Sequence, residues 1–192
     1  MKELSLHILD IAENSVNAGA TKIEISVVEN LNKDELIINI KDNGKGMDPE
    51  KLKSIADPFI TSRTTRKVGL GIPFLKAAAE ACEGGLKITS ERGVGTKMEV
   101  RFNHSHIDRM PLGDLKSTWL NLLIGYPKVH WVLDYSINEN TYTLDDQPIK
   151  EVLKEIPLSD PQVISYLKEE IANGFESVKI TSKNQISFQE KK

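Results

Sequence analysis

The residues Lys41 to Met47, KDNGKGM, place a carboxylate, an amide and two glycines directly after an apolar run. Asn-Gly is a strong reverse-turn signal, and an aspartate before it suits an Asx turn, so a plain turn accounts for these residue types. Glycine also allows a ligand to approach the backbone closely. The stretch therefore predicts either a simple turn or one wall of a binding site.

The segment from Leu4 to Ala18 is predicted to be a helix with a narrow polar stripe. At about 100° per residue, Asp10, Asn14 and Asn17 share one sector, whereas most of the remaining circumference is apolar or small. Buried carboxylates and amides are costly without partners. The stripe therefore predicts either an internal hydrogen-bond network or a polar ligand beside the helix.

Pairs of glycines recur beside predicted regular elements. They lie in KDNGKGM, in KVGLGIPFLK and in ERGVGTKMEV. None of the pairs matches a GxxxxGK[ST] phosphate-binding loop or a dinucleotide fingerprint after a first strand. DNGKGM also lacks the acidic ligands of an EF-hand loop. A single pair is weak evidence for a site, so the order of all three carries the argument.

In order and spacing, ENSVNAGA, DNGKGM, VGLGIPFLK and GVGT resemble the N, G1, G2 and G3 boxes of the GHKL superfamily, the Bergerat-fold ATPases. The resemblance covers about residues 4–103. DPFITS and GLGIPFLK look most like the histidine-kinase branch, that is, its HATPase_c-type ATP-binding domain. The resemblance implies ATP and Mg²⁺ as cofactors and a Bergerat-type two-layer α/β sandwich as the fold.

The resemblance implies roles at the nucleotide base for residues of three boxes. Asp42 would accept the amino group of adenine, directly and through water, and so select adenine over the carbonyl of guanine. Gly44 and Gly46 would let the purine lie against the backbone, with Met47 beside them. Thr96 would support the water at the same base.

The resemblance also implies residues at the phosphates. Asn14 would bind Mg²⁺ through its amide oxygen, because this hard cation prefers oxygen ligands. A basic loop would form a lid, and glycine N–H groups at the start of the second long helix would bind phosphate. The predicted contacts are Ser62, Arg63, Arg66, Lys67, Gly69 and Gly71. An alternative for the three cations is that they only solvate the loop.

One position departs from the hydrolytic members of the family. Four residues before the Mg²⁺ asparagine, where those members have a glutamate that activates water, this chain has Asp10, which is one methylene shorter. A general base must come within about 3 Å of the proton it removes. Asp10 is therefore the predicted catalytic residue, and we expect hydrolysis to be slow.

Periodicity and turn signals predict helix, two strands, short helix, polar loop, helix and two strands up to residue 103. The predicted elements are Leu4–Ala18, Thr21–Glu29, Glu35–Lys41, Asp48–Ala56, the loop Thr61–Lys67, Ile72–Glu83, Leu86–Ser90 and Thr96–Phe102. This order implies an α+β fold, with helices on one face of a mixed sheet.

The polar, proline-bearing stretch HSHIDRMPLGD predicts a linker. It would separate a Bergerat-fold ATP-binding domain at 1–103 from a linker and smaller α+β unit at 104–192. That unit is predicted to contain a helix at 114–124, a hairpin turning at 138–140, helices near 149–155 and 160–172, and a short final strand in QISF. We expect it to recognise a partner or a signal.

Composition limits the functions that remain. A net charge of −3 provides no long-range attraction for nucleic acid or acidic membranes. No run is long enough to span a bilayer and the N-terminus lacks a signal-peptide cleavage site, so we expect a cytoplasmic protein. The single cysteine, Cys82, excludes a disulfide framework within the chain and is expected in the core.

Three functions fit these observations. The first is a stand-alone kinase of the histidine or serine type, which phosphorylates a partner protein in trans. The second is a slow ATPase, and the third is a nucleotide-gated protein-binding module without phosphotransfer. The N box begins near residue 4, which leaves no room before it for a dimerising helical hairpin with its own histidine. This favours a phosphoacceptor on a partner protein.

Overall fold

Alternation of apolar and polar residues builds the central sheet. β1 (Lys22–Asn30) and β2 (Glu35–Asp42) form an antiparallel pair in which Ile25 lies opposite Ile40. The buried side chains of both strands are apolar and lie on one face, while most of the charged and polar ones lie on the other face together with the half-buried pair Val28 and Ile37. This period-two pattern is typical of a sheet covered on one side.

The computed structural model describes residues 3–55 and 71–189. β3 (Gly85–Glu91) and β4 (Gly95–Asn103) pair with each other, and β4 also pairs with β2. β5 (His130–Ile137) and β6 (Asn140–Asp145) form a hairpin. The sheet order is β3-β4-β2-β1-β5-β6, and only the contact between β1 and β5 is parallel.

Helices cover the apolar face of this sheet. They are α1 (Leu4–Asn17), α2 (Pro49–Ile55), α3 (Gly71–Ala81), α4 (Leu115–Gly125), α5 (Asp146–Leu153) and α6 (Pro161–Gln189). The α+β sandwich predicted from the sequence is confirmed, and the described elements up to α4 lie within two residues of their predicted ends. Cys82 is buried in the core, as predicted. The predicted loop Thr61–Lys67 lies outside the described residues.

The strands of the C-terminal part of the chain, β5 and β6, belong to the same sheet as the strands of residues 1–103. β5 pairs with β1 along its whole length, and buried residues from both parts of the chain form one core cluster. Unpaired strand edges are unfavourable, and β5 satisfies the edge of β1 that β2 leaves free. The division into two domains at residue 103 stays a prediction, and the sheet continues across that boundary.

The predicted linker packs against the first helix. The backbone N–H groups of Leu4 and Ser5 donate to the carbonyl oxygens of Pro111 and Leu112, at 3.0 and 2.9 Å. The first N–H groups of a helix have no partner within it, and Glu3 supplies no side-chain cap here. The linker therefore closes the N-terminus of α1.

The last helix is much longer than predicted and includes QISF, so the predicted final strand is wrong. Its buried positions recur every three or four residues without a break, at Val163, Leu167, Ile171, Phe175 and Val178. This helical period continues past the predicted end at residue 172. Within the described part of the chain, no helix is both long and apolar enough to cross a bilayer.

Candidate functional site

A cavity of about 290 Å³ lies between α1, the loop after β2 and the apolar face of the sheet. Its floor is a row of three apolar residues, because Ile40 lies opposite Met98 and Met98 opposite Ile88 across β2, β4 and β3. Directly paired residues project to the same face of a sheet. The floor is therefore a flat apolar surface fixed by three strands.

The next row of the same strands is polar. Asp42 lies opposite Thr96, and Thr96 lies opposite Ser90. Asp42 and Thr96 line the cavity, and Ser90 lies behind them in contact with Thr96. The sheet register thus places a carboxylate and two hydroxyls along one end of an apolar floor.

Among the residues that the structure describes, only hydrogen-bond donors contact the Asp42 carboxylate. Oδ1 accepts from the backbone N–H groups of Gly44 at 2.9 Å and Thr96 at 3.3 Å, and Oδ2 accepts from the Ser15 hydroxyl at 2.7 Å. A carboxylate offers about four acceptor sites. Three are used by the described residues, which leaves one on Oδ2 for a ligand that donates.

The glycines around Asp42 have a packing role. Gly46 has a φ of +63°, and a Cβ there would lie 1.9 Å from the Glu91 carbonyl oxygen. A Cβ on Gly95, where φ is +136°, would lie 2.0 Å from the carbonyl oxygen of Asp42. Both positions therefore require glycine for the close contact of neighbouring backbones. Contact of Gly44 and Gly46 with a purine stays a prediction.

The polar stripe of α1 divides between two surroundings. Asn14 and Asn17 are exposed and line the cavity beside the acidic end. Glu13, at the edge of the stripe, accepts a hydrogen bond from the Tyr126 hydroxyl at 3.1 Å. Burial, followed by the contact with Glu13, raises the pKa of Tyr126. Glu13 is thus tied to the residue that follows α4.

The buried His7 and the half-buried Asp10 form a pair of titratable groups one turn apart on α1. Burial raises the pKa of Asp10, and the charge of Glu13 adds to that rise, while His7 opposes it. Burial also lowers the pKa of His7, as does the chain terminus, while Asp10 and the backbone of Gly71 oppose the lowering. Within the described part of the chain, Asp10 Oδ2 and His7 Nδ1 have no hydrogen-bond partner.

The predicted phosphate contacts Ser62, Arg63, Arg66, Lys67 and Gly69 lie outside the described residues. Gly71 is buried and begins α3. Met47 lines the cavity, and its backbone N–H donates to the Ser90 hydroxyl at 2.9 Å.

Sequence reasoning missed four residues of the site, namely Ser15, Lys45, Lys51 and Ser90. Ser15 lies on the apolar side of α1, where a buried hydroxyl needs a partner, and this signal could have identified it. Ser90 follows only from the pairing of β3 with β4, which requires the sheet register.

Residues 2–106, more than half of the chain, match the family described as histidine kinase-, DNA gyrase B- and HSP90-like ATPases. The chain belongs to this family. The resemblance to the GHKL superfamily is therefore confirmed, and with it the Bergerat-type α+β sandwich. Family membership supports an ATP-binding, kinase-like module for this GHKL protein, whereas the roles of individual residues stay predictions.

Two curated relatives in this family are kinases. The chain is 37% identical over 89 residues to the sensor protein kinase FleS of Pseudomonas aeruginosa, which covers 46% of this chain and 22% of that protein. It is 32% identical over 92 residues to sporulation kinase C of Bacillus subtilis, which covers 48% of this chain and 21% of that protein. The match thus spans about a fifth of each relative's length.

A solved structure supports the fold beyond the family match. The N-terminal domain of a DNA repair protein aligns with a TM-score of 0.53 at 16% identity, over 76% of this chain and 52% of that chain. The aligned 76% of this chain is longer than the family match at residues 2–106, so the common fold includes part of the C-terminal region. At this identity the likeness concerns the GHKL fold alone.

Proposed function

We propose that this protein binds ATP with Mg²⁺ and transfers the γ-phosphate to a partner protein in trans. The observation that carries the proposal is the end of the cavity formed by Asp42. Its carboxylate is held by three donors and keeps one acceptor site on Oδ2, at the edge of an apolar floor. A flat aromatic base with an exocyclic amino group, such as adenine, can pack on the apolar floor and donate a hydrogen bond to Oδ2.

The α1 wall of the cavity suits a triphosphate and its metal. Asn14 would hold Mg²⁺ through its amide oxygen, because this side chain is exposed on the cavity wall and carries a hard oxygen donor. Lys45 and Lys51 also line the cavity and bring positive charge to the side where the phosphates would lie. Bound Mg²⁺ would neutralise phosphate charge during transfer.

The carboxylates near Asn14 favour transfer over hydrolysis. Asp10 is one methylene shorter than the glutamate of hydrolytic relatives, and Glu13 is engaged by Tyr126. Neither group is well suited to activate water at the γ-phosphate. A protein phosphoacceptor brings its own nucleophile, so phosphotransfer depends less on a base in this chain.

A slow ATPase is the second candidate, and one observation favours it. Burial raises the pKa of Asp10, and a carboxylate with a raised pKa is a stronger base once it is ionised. The higher basicity would offset part of the disadvantage of a side chain that is one methylene shorter than glutamate. A cytoplasmic location, where ATP is available, belongs to both candidates.

The test is incubation of the full chain with ATP labelled at the γ-phosphate, alone and with candidate partner proteins. Label on a partner, with little free phosphate, supports the kinase proposal. Free phosphate as the main product in every mixture supports the ATPase instead. Label that stays on ATP although the nucleotide binds contradicts both and leaves a nucleotide-gated binding module. When Asp42→Asn is compared with the parent chain, the control variant is Asp48→Asn, because Asp48 is an exposed acid close to Asp42 in sequence.

A further inference from the structure

Ser90 joins three parts of the predicted base site. Its hydroxyl lies 2.9 Å from each of three atoms: the backbone nitrogen of Met47, the carbonyl oxygen of Gly95 and the hydroxyl of Thr96. Met47 belongs to the loop after β2, whereas Gly95 and Thr96 begin β4. One half-buried side chain thus links the loop to the strand that carries Thr96.

The chemistry of these partners determines where the protons lie. A serine hydroxyl has one proton and two lone pairs. The Met47 N–H can only donate, and the Gly95 carbonyl can only accept. If all three contacts are satisfied, Ser90 donates to Gly95 and accepts from Met47 and from Thr96. The single proton of Thr96 then points at Ser90 and away from the cavity.

We infer that Ser90 is a positioning residue for base selectivity, because it holds the Thr96 hydroxyl as a hydrogen-bond acceptor toward the cavity. This inference rests on the proposed binding of an adenine nucleotide and names what enforces its selectivity. Beside the free acceptor site on Asp42 Oδ2, Thr96 presents lone pairs only. The two groups form a corner that accepts hydrogen bonds and donates none.

Such a corner distinguishes an amino group from a carbonyl at position 6 of a purine. An amino group has two N–H bonds to donate, either directly or through a water that donates both of its protons to Asp42 and Thr96. A 6-oxo purine would bring a third acceptor to the same place. Buried acceptors that face each other without a proton lose affinity.

The experiment compares ADP with inosine diphosphate by titration calorimetry with Mg²⁺; the two bases differ in the group at position 6 and in the proton that the 6-oxo base carries on N1. The parent chain should prefer ADP. Ser90→Ala frees the Thr96 hydroxyl to rotate and donate, so we expect the ratio of the two affinities to fall by about 3- to 10-fold. Ser90→Thr keeps a hydroxyl and suits a strand, and it should restore the ratio. Thr89→Ala removes an exposed hydroxyl from the neighbouring position of β3 and should change nothing.

A ratio, not an affinity, is the informative quantity. A purely structural role of Ser90 would weaken ADP and inosine diphosphate equally, and an unchanged ratio in Ser90→Ala would overturn the inference. In a Thr96→Val background, Ser90→Ala should have no further effect on the ratio, because the two residues act through one proton. If Ser90→Ala alone is poorly folded, Ser90→Thr still tests the inference, because it keeps the hydroxyl, and a changed ratio in this variant would contradict the role of Ser90. A parent chain that binds neither nucleotide would contradict the proposed function itself.

Discussion

The base end of the cavity and the first helix are built on different principles. At the base end, Asp42, Thr96 and Ser90 lie in one row across three paired strands, and the described hydrogen bonds satisfy nearly all of their polar atoms. On α1, outside the described lining of the cavity, His7 is buried and Asp10 is half-buried, and one atom of each lacks a hydrogen-bond partner in the described regions. The base end is preorganised before a ligand binds, whereas α1 holds titratable groups at an electrostatic cost.

This difference indicates where selectivity and chemistry reside. A network with fixed proton directions discriminates between ligands without moving, because its dipoles are already oriented. Buried groups with unfavourable electrostatics are typical of sites where protons are exchanged. We therefore expect changes at the base end to alter binding, and changes on α1 to alter turnover, metal dependence and stability.

The largest effect should come from Asp10. General-base contributions are about 10²- to 10⁴-fold, so Asp10→Ala should lower the already slow phosphate release of the parent by a factor in this range. Asp10→Glu should raise it, because the longer side chain restores the reach of the base. Because burial raises the pKa of Asp10, release by the parent should increase with pH as this carboxyl ionises.

Phosphate release at saturating ATP is the measurement, with ADP affinity as the control. Nucleotide affinity should be similar in all three proteins, since Asp10 does not line the described part of the cavity. Rapid release by the parent chain would show that the shorter side chain is no handicap. Equal rates in Asp10→Ala and the parent would remove this residue from the chemistry.

A smaller effect, confined to binding, is expected at the base end. Asp42→Asn replaces part of an acceptor by a donor that faces the amino group, and it also disturbs the bond from Ser15. The loss should be about 1–3 kcal/mol in the free energy of ADP binding. Calorimetry on Asp42→Asn and on the control Asp48→Asn measures it. Unchanged affinity in Asp42→Asn would separate this carboxylate from the adenine.

Asn14 tests the predicted metal site on the α1 wall of the cavity, separately from the contacts to the base. Mg²⁺ should raise the ADP affinity of the parent chain. In Asn14→Ala this increase should be smaller by about 10-fold or more, since even the loss of a group that only supports a metal ligand has an effect of this size. Binding without Mg²⁺ should be unchanged. Asn17→Ala is the matched control, because this amide lines the same cavity one turn further along α1. Equal losses in both variants would argue against a specific ligand.

The sequence predicted the parts of the molecule that depend on local pattern. The elements from α1 to α4 follow from periodicity and turn signals, because these patterns act within one segment, whereas the box residues were predicted from the family resemblance. The parallel contact between β1 and β5 could not be predicted, since it joins segments about a hundred residues apart through backbone groups that every residue has. Ser90 was missed for a similar reason, because its importance arises from pairing with Thr96. The hydrogen bond between Glu13 and Tyr126 could not be predicted either, because Tyr126 lies on a distant segment.

The smallest predicted effect concerns stability and comes from His7. Its lowered pKa means that the folded chain disfavours the protonated ring, mainly because the side chain is buried, at 3% exposure. As the pH falls below the ordinary pKa of 6.5, His7 becomes protonated in the unfolded chain but stays neutral in the folded chain. The His7 contribution to the free energy of unfolding is therefore present above pH 6.5 and is lost as the pH falls toward the lowered pKa. Each unit by which that pKa is lowered corresponds to about 1.4 kcal/mol.

Urea unfolding from pH 7.5 to pH 5 measures this slope, and His7→Gln should reduce it. His106→Gln is the control, because His106 is a half-buried linker residue that accepts from the backbone of Asp108. Asp10 acts in the opposite sense, since its raised pKa favours the folded state at low pH and this contribution is lost as the pH rises through that pKa. An amide side chain cannot ionise, so Asp10→Asn should raise the free energy of unfolding more at pH 7.5 than near pH 4. If His7→Gln and His106→Gln gave the same slope, His7 would not be the buried group that makes the stability of the protein sensitive to pH.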